Sequence, residues 1–87
     1  MQQQQRYMFP LEFQKALVSK GMDYAHLSRA MSHRGYRLSK QFIGQLALGQ
    51  RRVPPEQLKR ICETLELDIP MRRTLARAAC LDQGYEI

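Results

Sequence analysis

The 87-residue chain has no tryptophan and only two cysteines, Cys62 and Cys80. These fall on different predicted helices without Cys-x-x-Cys spacing, so neither a disulfide framework nor a zinc site is supported. Histidine is equally scarce. His26 and His33 miss the i, i+4 ligand spacing and have no cysteine nearby, so all four residues are read as structural or surface positions, and no metal or cofactor is expected. No apolar run approaches the length of a membrane span, and Met1 to Phe13 lacks the apolar stretch of a signal peptide. A soluble, cytoplasmic protein with no membrane partner is the expectation. Alternating strand patterns and internal repeats are missing too, which argues against a sheet or a solenoid.

What the chain does have is apolar content, 44% of residues, and positive charge, +6 in all. That apolar fraction suffices for one small core, which sets disorder aside but leaves little chain for a deep substrate cleft. The charge is segregated. Residues 1–52 hold Arg6, Lys15, Lys20, Arg29, Arg34, Arg37, Lys40, Arg51 and Arg52 against Glu12 and Asp23, or +7. The remaining residues sum to −1. A polyanion-binding face needs such an imbalance, although surface charge also serves solubility.

Helical signals fill the chain after the polar run Gln2 to Gln5. A first helix is expected from Pro10 to Lys20, with Phe13 and Leu17 inward and Gly21 closing it. Asp23 suits the N-cap of a second helix, 24–32, with Leu27, Ala30 and Met31 inward. The stretch His33 to Arg37 reads as a basic turn. Ser39 caps a third helix, 40–48, with Ile43, Leu46 and Ala47 in the core and Gly49 at its end. A polar connector, Gln50 to Pro54, leads to a fourth helix opened by Pro55, with Leu58, Ile61, Cys62 and Leu65 at i, i+3, i+4, i+7. Asp68 caps a fifth, 70–81, with Leu75, Ala78 and Ala79 on one side. The fold class is therefore all-α, a compact bundle of about five short helices, with residues 1–9 as a tail and 10–87 as a single domain.

Helices two and three, each capped and separated by a glycine-containing turn, form a helix-turn-helix pattern. In that motif the second helix lies in the major groove of DNA with its N-terminal residues on base edges. Lys40, Gln41, Gly44 and Gln45 are expected to face outward there. Glutamine can bond bidentately to adenine and lysine can donate to guanine. The positive end of the helix dipole favours phosphate at the same place.

The runs Met22-Asp23-Tyr24-Ala25-His26-Leu27-Ser28-Arg29-Ala30-Met31 and Ser39-Lys40-Gln41-Phe42-Ile43-Gly44-Gln45-Leu46-Ala47-Leu48-Gly49-Gln50-Arg51 resemble the XRE (Cro/C1-type, lambda-repressor-like) helix-turn-helix family. Val53-Pro54-Pro55 and the amphipathic stretch Leu58 to Leu65 continue the likeness, which spans about residues 10–69. Two positions depart from the family pattern. Ser32 to Leu38 put roughly five extra residues between the two helices, a small loop-entropy cost that implies a longer second helix or a wider turn touching phosphate. Ser28 stands where a small alanine is common.

The resemblance implies that Lys40, Gln41, Phe42, Gly44 and Gln45 reach bases or adjacent phosphates. It further implies phosphate contacts for Tyr24 and for Arg51 and Arg52 in the following loop. Arg34 and Arg37 in the inserted turn, and Ser39, join the phosphate set. Against this, Lys40 and Gln41 can be plain solvated residues, Phe42 can pack under helix two, and Gly44 can mark close approach of a neighbouring helix. The implied function is transcriptional regulation, most often repression, by a homodimer on a palindromic double-stranded operator in a bacterium or phage, with nucleoid association. The C-terminal helix and the tail Leu81 to Ile87, with Tyr85 and Ile87, are the dimer candidates. Tyr7-Met8-Phe9 is a further apolar edge. Two alternatives stand beside it: a helical adaptor docking an acidic protein through its basic face, and a DNA-binding antitoxin. Catalysis is not expected, since no acid/base pair, activated nucleophile or phosphate loop is present.

Overall fold

The structure, a computed structural model, describes residues 8–83. The polar run Gln2 to Gln5, Tyr7, Tyr85 and Ile87 lie outside the described residues. Within them the chain forms five α-helices and no strand: α1 (Met8–Ser19), α2 (Tyr24–His33), α3 (Lys40–Ala47), α4 (Pro55–Leu65) and α5 (Ile69–Gln83). The all-α bundle expected from the periodicity is the fold observed.

The first helix begins two residues before Pro10, which moves Met8 and Phe9 out of the expected tail. Pro10 is tolerated there because the first turn needs no N–H from it. Two contacts account for the extension. The Phe9 side chain is buried and its ring stacks on Phe13, with centroids 5.4 Å apart. The Phe9 N–H donates to Asp82 Oδ2 at 2.6 Å, so a carboxylate from the far end of the chain caps α1. Anionic groups are favoured at a helix start, where free N–H groups and the dipole both attract them.

Phe9, Phe13, Ala16 and Leu17 line one face of α1 and join Leu75, Ala78 and Ala79 of α5 in the core. Leu27, Met31, Ile43, Leu46 and Ala47 enter from α2 and α3, and Leu58, Ile61, Cys62 and Leu65 from α4. Burial of each large side chain contributes about 1.5–3 kcal/mol, so this single cluster dominates stability. Three connector residues also reach it: Leu38, Val53 and Leu67. The Cys62 thiol is pushed up to about 11, mainly by burial, which leaves it protonated and unreactive at neutral pH. Asp68 accepts from Met71 N–H at 3.1 Å and caps α5, as its position suggested.

Among the described residues, no helix is long and apolar enough to cross a membrane. No group of three or more metal-binding side chains occurs among them either.

Candidate nucleic-acid interface

Two side-chain caps define the candidate motif. Asp23 accepts from His26 N–H at 2.8 Å and Ser39 from Phe42 N–H at 3.1 Å. Each cap residue has extended backbone and a helix directly after it. The Asp23 carboxyl is held below its usual range, chiefly by the His26 backbone N–H, with the His26 ring adding a smaller effect. The α2 and α3 helices pack on each other, and α3 is also anchored from α1, where Gln14 Nε2 donates to Ala47 O at 2.6 Å. The C-terminal end of α3 is thereby tied down while Lys40 and Gln41 at its start stay exposed.

The turn between the helices runs from Arg34 to Ser39, and α2 gains only His33, so the extra residues make a wide turn. It is an ordered one. Gly35 takes φ +86, a left-handed conformation that costs glycine little. That reversal lets Tyr36 N–H return to Met31 O at 2.9 Å. Tyr36 then lies on α4: its hydroxyl donates to Glu63 Oε1 at 3.1 Å, and the Arg60 guanidinium sits 4.9 Å from its ring centroid. Leu38 drops into the core, and its carbonyl accepts from Ser28 Oγ at 2.7 Å. Ser28 and the long turn thus work as one device. The serine on α2 supplies the hydrogen bond that the longer turn requires.

Of the residues singled out for base reading, Lys40 and Gln41 are exposed and have no partner among the described residues. Gln45 is half-buried and accepts from Arg51 Nε at 2.8 Å. Phe42 is half-buried against the core, with the Arg51 guanidinium 5.0 Å from its ring centroid. Gly44 requires a correction. It is buried and does not face outward, because the Tyr24 ring covers it: a Cβ placed there would lie 3.4 Å from two ring carbons. Close helix packing explains this glycine, and a base has no access to it.

Among the phosphate candidates, Arg34, Arg37 and Arg52 are exposed with no partner among the described residues. Ser39 is exposed with its oxygen engaged as the cap. Tyr24 is half-buried on Gly44. Arg51 is exposed but committed on two sides, to Phe42 and Gln45. Sequence reasoning missed that cluster, since Arg51 lies past the end of α3 and helical periodicity does not link it to Gln45 and Phe42 within the helix. It also missed Tyr36 as the residue that seats the turn.

No protein-family model, curated protein or solved structure matches the chain. A functional reading therefore rests on the chemistry of these residues and on the sequence resemblance stated above.

Proposed function

We propose that the protein is a non-catalytic, sequence-specific binder of double-stranded DNA that lays α3 in the major groove and regulates transcription, most simply as a repressor. The observation that carries this reading is the start of α3. A capped helix presents Lys40 and Gln41, both exposed and uncommitted. Arg34 and Arg37 lie in the turn before it and Arg52 in the connector after it, none of the three in an ion pair among the described residues. Phosphate contacts from such arginines position a reader, and amide and ammonium groups at the helix start specify bases. The XRE resemblance supports the same docking.

A single helix-turn-helix buries little surface on DNA, so a homodimer on two half-sites about one helical turn apart completes the proposal. The inward face of α5 is spent on α1, which leaves exposed Leu81 and neighbouring Met8 as apolar groups for a second copy. Nucleoid association in the cytoplasm follows from the same reading.

The test is selection from random duplex DNA with the purified protein, then titration of the winner at two salt concentrations. Enrichment of a palindrome with salt-sensitive affinity is the expected result. Gln41→Ala should then cost about 1–3 kcal/mol on that site and relax preference at one base position per half-site. Absence of binding at low salt would overturn the proposal and favour an adaptor for an acidic protein.

A further inference from the structure

Arg51 stands just past α3, where a phosphate-gripping arginine is the simple expectation. Its surroundings are more specific than that role needs. The guanidinium carbon lies 5.0 Å from the Phe42 ring centroid, and Nε donates to Gln45 Oε1 at 2.8 Å. No carboxylate contacts it among the described residues. A guanidinium has only donors, so its partner on Gln45 must be the carbonyl oxygen, and chemistry settles the orientation of that amide. The Gln45 amine and the terminal Arg51 nitrogens are then the uncommitted atoms of the pair. All of these are donors, and the only acceptor left is the second lone pair of Gln45 Oε1, which lies beside the cation.

We propose that Arg51 and Gln45 act together as a donor-rich reader of guanine, with Arg51 a positioning and specificity-determining residue. The proposal rests on the reading of α3 as the major-groove helix. A free glutamine suits adenine, because its oxygen accepts from N6 while its amine donates to N7. Here one lone pair of the oxygen is taken by Arg51, and the guanidinium beside it sets donors and positive charge against the adenine amine. Guanine offers two acceptors, O6 and N7, on one edge. The pair's free N–H groups match that edge without releasing the bond between them. Phe42 serves as the platform on which the planar guanidinium rests against the helix.

The experiment is parallel duplex selection with the full chain and with Q45A, R51A and R51K, all at one salt concentration. Guanine should be enriched at the position whose preference is lost in Q45A. R51A should move that position from guanine toward adenine by roughly tenfold, since the guanidinium donors that oppose the adenine amine are gone and the amide is free to turn. R51K should recover affinity without recovering guanine, because an ammonium lacks the planar fork that holds the amide and stacks on the ring. Adenine at that position in the unaltered protein would overturn the assignment, as would R51A weakening all sequences alike. Failure to enrich any duplex would overturn the DNA reading as well. A DNA-free measurement separates the two. The Gln45 side-chain amide resonances should shift in R51A relative to the parent, and an unchanged spectrum would show that the pairing does not persist in solution.

Discussion

Two arginines in this small protein stack on aromatic rings at nearly the same distance, Arg60 on Tyr36 at 4.9 Å and Arg51 on Phe42 at 5.0 Å. Their other contacts differ. Arg60 is neutralised by Glu56, 2.9 Å away on the same helix, and its ring partner donates to Glu63. That network is closed, with each charge answered by another protein group. Among the described residues Arg51 has only the neutral oxygen of Gln45 and the Phe42 ring in contact, with the Asp82 carboxylate lining the same cleft without pairing with it. The same residue type thus does two jobs. In the α4 region it fastens the wide turn to the scaffold, and beside α3 it stays available to an anion or a base edge.

The largest effect that can break the comparison is at Tyr36. Tyr36→Ala removes the ring under Arg60 and the bond to Glu63, and should cost about 2 kcal/mol in urea unfolding, since the side chain is only half-buried. Tyr36→Phe keeps the stack and should lose about 1 kcal/mol, the worth of one hydrogen bond. If Tyr36→Ala unfolds at the parent's midpoint, α4 does not hold the turn and the closed network has no structural role. Next comes Ser28→Ala, which strands the Leu38 carbonyl and should cost about 1–2 kcal/mol. Amide exchange should quicken selectively across Arg34 to Ser39, where a general loss of stability would quicken it everywhere. Third is a paired measurement. Arg60→Ala should lower stability by at most about 1 kcal/mol and leave the salt dependence of DNA binding unchanged. Arg52→Ala should leave stability within about 0.5 kcal/mol of the parent and reduce the salt slope by about one. Equal salt slopes for those two variants would erase the distinction between answered and unanswered charges.

Local signals were the legible part of this molecule. Asp23, Ser39 and Asp68 cap the helices for which their side chains suited them, and the stripe Leu58, Ile61, Cys62, Leu65 is buried as its spacing required. Each depends on residues within one or two turns of one another. Two of the misses have the opposite property. Phe9 is ordered by Asp82, from the other end of the chain, and Gly44 turns inward because Tyr24 of another helix lies over it. Glu66 ends α4 in a left-handed conformation, φ 56, where glycine is the usual signal and none stood. In the candidate site, Lys40 and Gln41 were readable as exposed residues at a helix start. The coupling of Phe42, Gln45 and Arg51 was not, because a contact across a helix end has no periodic signature.

The contrast between titratable and fixed partners also separates the two helices of the candidate motif, and it supports the smallest of these effects. The α2 helix starts on a carboxylate, Asp23, whereas α3 starts on a hydroxyl, Ser39, which does not titrate. Because Asp23 is held below the usual carboxylate range in the folded protein, its charged form contributes stability above that range. The contribution is lost as pH falls through its lowered value, when protonation weakens the bond from His26 N–H. The first turn of α2 should therefore fray in acid before that of α3, seen as His26 amide exchange accelerating relative to Phe42 amide exchange below about pH 4. Asp23→Asn keeps a capping oxygen and removes the titration, so the two amides should then follow the same pH dependence. A persistent divergence in that variant would place the acid sensitivity of α2 elsewhere than in its cap. Since Tyr24 packs on Gly44 directly after this cap, fraying at Asp23 would also loosen the contact by which α2 positions the helix proposed to read DNA.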